Sequence, residues 1–450
     1  MARAKVKDFL ILCLLVSAAC GRPKPPPAAP DSVAVLPFTA EGGQADLIAV
    51  ALPAEIAASL AAIPQLRVIA PESSLRAARP ETLHAAAFLA GSIADRNGLL
   101  KITVRLGNAA GGFEWGRETL SRAPAEMIRV HDQIAAMAAG WMHLPAPRPQ
   151  LRSITSDLDA YTLFQKGLEQ RYRPHGSLDA AIAFQEQAVQ RDAYFARAYQ
   201  RLAEALLEKA KAPTRSRDLL DRLRAASKRA LDLNPEAGAA HAVYGEVMHL
   251  FDWRPADASL HLRDAIRLQP GNAKAHLAYA VLLIASGRPA EGAGSLATAA
   301  QLDPLAATGP EFLCIRLLAG LFDQPSNNPL FEAVSESNAG NYAKAVDLMQ
   351  GAADREPVET LFAAMVYRGA GRLEKATELA ASIPPSSSPV WLACARALLN
   401  DKTAALRLLD RAVDERDPQL IWLKRLPMLT PLEADPHYRG ILDKTGLGNN

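Results

Sequence analysis

Three copies of one phrase constrain this chain more than anything else in it. Ala230-Leu-Asp-Leu-Asn-Pro235, Ala265-Ile-Arg-Leu-Gln-Pro270 and Ala299-Ala-Gln-Leu-Asp-Pro304 are nearly the same six residues. Their prolines step by 35 and then 34 positions. A period of this size is one helix–turn–helix unit, which cannot bury its apolar face alone and must stack on its neighbours. Each unit reads the same way. His276, Tyr279, Ala280 and Leu283 fall on one face of a first helix, Gly287 ends it and Pro289 suits the start of the second. Gly292, Leu296 and Ala299 continue the inward stripe, and Pro304 closes the unit. The preceding unit repeats this with His241, Tyr244, Gly245, Ala258, Leu262 and Ala265, closed by Pro270. Small residues at Gly245 and Ala280 let two helices approach closely.

These positions resemble the tetratricopeptide repeat family, with departures. His241 and His276 stand where that pattern carries an aromatic, Tyr244 and Tyr279 where it carries leucine, and Gly292 where it carries alanine. Tyr199 and Leu202 open an earlier unit that Pro235 closes, and fainter copies run to Pro418. About six units are expected over residues 155–420, interrupted by a loop at Asp323–Pro329. Residues 421–450 read as a helical cap and tail. The resemblance implies a superhelical solenoid whose concave groove receives a protein or peptide ligand. Lys166 with Gln170, and Gln200 with Glu204, lie one turn apart on first helices. They are the groove candidates, with a solvated helix face as the alternative. Tyr161, Tyr172, Tyr199 and Tyr244 read as inter-helix packing rather than as a ligand-gripping ladder.

Residues 31–145 follow another grammar. Ser32–Phe38 is a short buried strand stopped by proline, and a helix carries Leu47, Val50, Ile56 and Leu60. Strands follow at Leu66–Ile69 and Ala86–Ile93, then Leu100–Leu106 alternates apolar with polar residues. A hairpin turn at 108–112 leads into Phe113–Leu120, and Ala125–Met142 closes the unit as a helix. Early alternation of strand and helix followed by a hairpin gives a small α/β domain with a mixed sheet. Val33-Ala-Val-Leu-Pro-Phe38, Leu66–Ser74, Leu89-Ala-Gly-Ser-Ile93 and the Gly112…Trp115 hairpin resemble the TolB-like domain. The tail Glu415–Pro418 with Leu432–Pro436 looks like the ending of the same family. The fold class is therefore α+β overall, a small α/β domain followed by an all-α solenoid.

The amino terminus reads as a leader over residues 1–19. Arg3, Lys5 and Lys7 precede the apolar Phe9–Val16, and Ser17-Ala-Ala-Cys20 offers a small-residue cleavage site. A cysteine there resembles a bacterial lipoprotein signal with Cys20 acylated, and residues 20–30 then form a proline-rich tether. Ordinary cleavage after Ala19 fits the Ser-x-Ala pattern too. The lipoprotein reading places the chain at the periplasmic face of the envelope, at the outer membrane, because Gly21 follows Cys20.

Chemistry is scarce. Nine histidines are scattered without His-Glu-x-x-His, and no Cys-x-x-Cys, phosphate-binding glycine loop or Gly-x-Ser-x-Gly elbow occurs. No catalytic residue, metal ligand or cofactor site is expected. His241 and His249 could share a helix face, but read as core and surface residues. Cys314 and Cys394 read as buried small hydrophobes. A net charge of +2 with 6% aromatics argues against a nucleic-acid partner. The expected function is a non-catalytic, exported, lipid-anchored scaffold for protein–protein interaction. The alternatives are a small-molecule-binding or enzymatic lipoprotein using the α/β domain, and a cytoplasmic regulator built on the repeats.

Overall fold

The computed structural model describes residues 29–109, 113–148, 154–213, 215–322, 328–349 and 356–448. The leader, Cys20 and most of the tether lie outside them, as do Gly112 and most of the Asp323–Pro329 loop. No helix among the described residues is long and apolar enough to cross a membrane.

Strand β1 (Ser32–Val35) lies between two parallel neighbours, β3 (Arg67–Val68) and β4 (Ala87–Arg96), and is buried on both faces, with Val33 and Val35 in the main core and Ala34 against Ile69, Leu83 and Ala85. β4 then begins an antiparallel meander with β5 (Leu99–Asn108) and β6 (Glu114–Arg122), so the sheet order is β3-β1-β4-β5-β6. A short β2 (Thr39–Glu41), absent from the sequence reading, pairs with the far end of β4. β5 shows the alternation that its sequence demands. Leu100, Ile102, Val104 and Leu106 are buried while Lys101 and Arg105 face solvent. Helices α1 (Gln44–Leu60) and α3 (Val130–Trp141) cover the apolar face. A single helical turn, α2 (Pro71–Ser74), follows β3. The closing helix splits, because Pro124–Arg129 winds as a 3₁₀ turn before α3 begins.

The rest is helical. Four pairs form a front block: α4 (Leu158–Tyr172) with α5 (Leu178–Arg191), α6 (Ala196–Ala210) with α7 (Arg217–Leu233), α8 (Gly238–Leu250) with α9 (Pro255–Leu268), and α10 (Ala273–Ala285) with α11 (Pro289–Leu302). Ala258, Ala265, Ala280 and Ala299 are buried in these pairs, with Leu202, while Tyr199, Tyr244 and Tyr279 pack half-buried against the clusters. A Cβ on Gly245 would stand 2.9 Å from Leu262 Cγ, so this crossing admits no side chain. Gly292 departs from the repeat pattern for a similar reason: a Cβ there would meet Ile284 Cγ1 at 2.7 Å. The two histidine departures also have a cause. His241 and His276 each donate Nε2–H to the carbonyl of the proline six residues earlier, Pro235 and Pro270, at 2.9 Å. They clamp the turn between units, a bond an apolar aromatic ring could not make.

After α11 the period breaks. Among the described residues, helix α12 (Pro310–Ala319) has no paired second helix, and a rear block follows. It comprises α13 (Pro329–Asn338) with α14 (Tyr342–Leu348), α15 (Pro357–Gly369) with α16 (Leu373–Ala381), and α17 (Pro389–Leu398) with α18 (Lys402–Asp414). Two 3₁₀ segments, Pro418–Arg425 and Pro427–Leu432, and α19 (Pro436–Lys444) end the described chain.

Those last segments turn back. Pro418–Arg425 packs on α8, α10 and α12, and three arginines fasten the return. Arg215 pairs with the fully buried Asp417 at 3.7 Å. Arg416 donates to Phe251 O at 3.1 Å and lies 4.0 Å over the Trp253 ring. Arg425 donates to Leu318 O and Ala319 O at 3.2 and 3.1 Å. At the other end the first unit shares the α/β core. Tyr161, Phe164, Leu168 and Phe195 join the cluster that holds Ile48, Leu52, Ile56 and Leu60 of α1. The solenoid is thus bound at its front by the α/β unit and on its concave side by its own carboxyl-terminal segment.

Candidate functional site

Two features meet on the concave side of the front block. The first is a buried charged seam. Glu55, the lone acid in the apolar stretch Ala49–Leu60 of α1, is 2% exposed. Arg197 Nε reaches its Oε2 at 2.8 Å and Arg201 Nη2 its Oε1 at 2.7 Å, both from α6. Arg201 also pairs with Glu204 at 2.9 Å. Arg197 donates to His131 Nε2 at 2.5 Å, which makes that nitrogen the acceptor and leaves the imidazole neutral. Burial, then the charge of Arg197, push the His131 pKa down to about 3. Ser59 donates to Asp132 at 2.9 Å, tying α1 to α3 beside this group.

The second feature is a chamber of about 660 Å³. Its floor is α1 with the β3–α2 turn, and its walls are α6, α8, α10 and α12. The carboxyl-terminal 3₁₀ segment closes the far end with Ile421 and Trp422, beside Trp391 of α17. Near the α/β unit the wall is charged: Glu72–Lys274 at 2.6 Å, Arg171–Glu208, Arg201–Glu204 and Lys211–Glu246. Burial would raise the Glu72 carboxyl, but Lys274 and then Arg171 outweigh it and hold it near 2. Lys274 keeps 45% of its side chain exposed, so solvent screens this pair and its contribution to stability is small. Toward the far end the wall turns apolar, with Leu250, Val281 and Ile315.

His249 stands among those apolar residues, 5% exposed, and not on the surface as its sequence position suggested. Burial alone lowers its pKa to about 4, so it is neutral at pH 7. Cys314 is half-buried on the chamber wall rather than sealed in the core, and its removal from water raises the thiol to about 12. Cys394 is fully buried elsewhere, and neither forms a disulfide. Among the described residues no group of three or more His, Cys, Asp or Glu side chains is arranged to hold a metal.

Of the groove candidates, Gln200 and Glu204 line the chamber and are joined by a 2.9 Å hydrogen bond. Lys166 and Gln170 stand elsewhere. Lys166 is exposed, 5.8 Å from the centre of the Phe184 ring, and Gln170 accepts from Ser177 N at 3.2 Å in the α4–α5 turn. His241 and His249 do not meet; His241 pairs through Nδ1 with His261 at 3.0 Å. Tyr172 lines the chamber, whereas Tyr161 donates to Met127 O at 3.1 Å within the shared core. Sequence reasoning passed over Glu55, Glu72 and Lys274, and misplaced His249. Only Glu55 left a local signal, a carboxylate alone on an otherwise apolar helix. The others are brought together by chain return.

No family model matches the chain, and no curated protein matches it. Among solved structures, it is similar to a thermophilic TPR protein of Thermus thermophilus, at 16% identity over 57% of this chain and 98% of that one, with a TM-score of 0.28. PilF of Pseudomonas aeruginosa is 13% identical over 56% and 97%, with a TM-score of 0.34. A tetratricopeptide repeat protein of Parabacteroides merdae is 12% identical over 60% and 99%, with a TM-score of 0.33. Likeness this weak carries no inference about function or partner. The α-solenoid assignment stands on the stacked helix pairs of this chain.

Proposed function

We propose that this protein is a non-catalytic, exported interaction scaffold, anchored through an acylated Cys20, whose concave face receives a segment of an envelope protein. The observation that carries this reading is the chamber, bounded by both units and filled by neither. The α/β unit is read as TolB-like, supported by where the quoted motifs fall. Val33–Phe38 supplies β1 and the turn after it, Leu66–Ser74 supplies β3 and α2, and Leu89–Ile93 lies in β4. A photo-crosslinking residue at Gln200 in the full chain, expressed in its own host, should yield one discrete adduct that Val281→Trp abolishes. A ladder of adducts unchanged by that substitution would sink the scaffold reading. Palmitate labelling should be lost in Cys20→Ser; labelling that persists there, or that never occurs, would sink the anchor.

A second reading is a binding protein for a small molecule, favoured by one observation. The chamber is within the usual volume range of ligand pockets, roughly 300–1,000 Å³.

A further inference from the structure

We propose that the chamber binds a small amphipathic cation, an apolar body carrying a protonated amine. This rests on the second reading above, the chamber as a ligand site, and adds the chemistry of the ligand.

Three observations support it. The lining holds seven carboxyl groups (Glu72, Glu204, Glu208, Glu246, Asp303, Glu311 and Glu356) against the cations Arg171, Arg201, Lys211 and Lys274. That is a formal excess of three negative charges. Each of the four cations is already ion-paired to a lining carboxylate, so none is left to attract an anion. The excess sits on Asp303, Glu311 and Glu356, and the last two are exposed at the chamber's edge. Negative charge there attracts a cation and repels a carboxylate.

Second, the far end is apolar and aromatic. Trp391 and Trp422 keep 8% and 5% exposure beside Ile421 and Leu250. Indole rings suit both an apolar body and a nearby cation. Third, His249 lines this end, more than nine-tenths buried, and burial is the one influence on its titration. A neutral imidazole there adds no positive charge, and it can accept a hydrogen bond from an ammonium or hydroxyl group.

The test uses the whole chain and three probes of one shape: 4-phenylbutylamine, 4-phenylbutanol and 4-phenylbutyrate, titrated by calorimetry and by tryptophan fluorescence. The amine should bind one to one, at least about tenfold tighter than the carboxylate, with the alcohol between them, as the field of the lining requires. Glu311→Gln with Glu356→Gln, both exposed, should narrow the amine preference several-fold. Val281→Trp should abolish binding of all three. Equal binding of the three probes, abolished by Val281→Trp, overturns the charge assignment and leaves the ligand site standing. No saturable binding of any probe, or binding unchanged by Val281→Trp, overturns both.

Discussion

Helix α6 carries charge from end to end, yet its two halves lie in different surroundings. Its first turns place Arg197 and Arg201 against Glu55, with side chains 7%, 10% and 2% exposed. Its last turn and the residue after it place Glu208 and Lys211 on the chamber wall, 52% and 40% exposed, paired to Arg171 and Glu246. Ion pairs that look alike on paper therefore differ in what they do. At the seam, charges taken out of water must satisfy one another or destabilise the fold. On the wall, water remains to screen them, and each pair contributes little to stability.

The sharpest way to break this comparison is at Glu55. Glu55→Ala leaves two guanidinium groups buried without their shared carboxylate, and breaking a buried pair in this way costs about 3–5 kcal/mol. Urea denaturation should show that loss. A change below about 1 kcal/mol, the size expected of an exposed pair, would mean that the seam is as wet as the wall.

How much of this was legible beforehand follows from the kind of signal each feature leaves. The alanine–proline phrases are local, so the front block could be read directly, down to Ala258, Ala265 and Ala299. β5 was legible because its alternation is complete over one strand. The chamber was not, because it depends on contacts between residues far apart in the chain, such as Arg215 with Asp417. No periodicity records that the carboxyl-terminal segment returns to the concave face. Gln200 and Glu204 were reachable from the repeat register, whereas Lys166 and Gln170 belong to the first unit. There the Phe184 ring of α5 and the α4–α5 turn, rather than an open groove, define the surroundings.

A middle-sized effect separates the two regions by pH. His249 has its pKa lowered from 6.5 to about 4 by burial. The unfolded chain therefore binds a proton that the folded chain refuses, and stability present above pH 6.5 is lost as pH falls toward 4. For this residue alone the loss is about 3 kcal/mol. His131 at the seam acts in the same direction over a window reaching about 3. Denaturation midpoints measured at neutral pH and again near the lower end of the His249 window should differ less in His249→Gln than in the unsubstituted chain. An equal difference in the two proteins would show that His249 is solvated.

The smallest effect is expected at Lys211. Lys211→Met removes the partner of Glu246, whose side chain is 18% exposed, from a position that is itself 40% exposed. Burial opposes the charge on Lys211, but Glu246 and then Glu311 raise its pKa overall, so it is held as a cation on the wall. Because the pair stands in screened surroundings, its removal should change stability by less than about 1 kcal/mol. The change should shrink further between low and high salt, since screening already limits what the pair contributes. A double-mutant cycle with Glu246→Gln, read by urea denaturation, isolates the coupling. A coupling near the seam's size would erase the distinction between the two halves of α6, and with it the picture of a wet, charged wall beside a dry, charged joint.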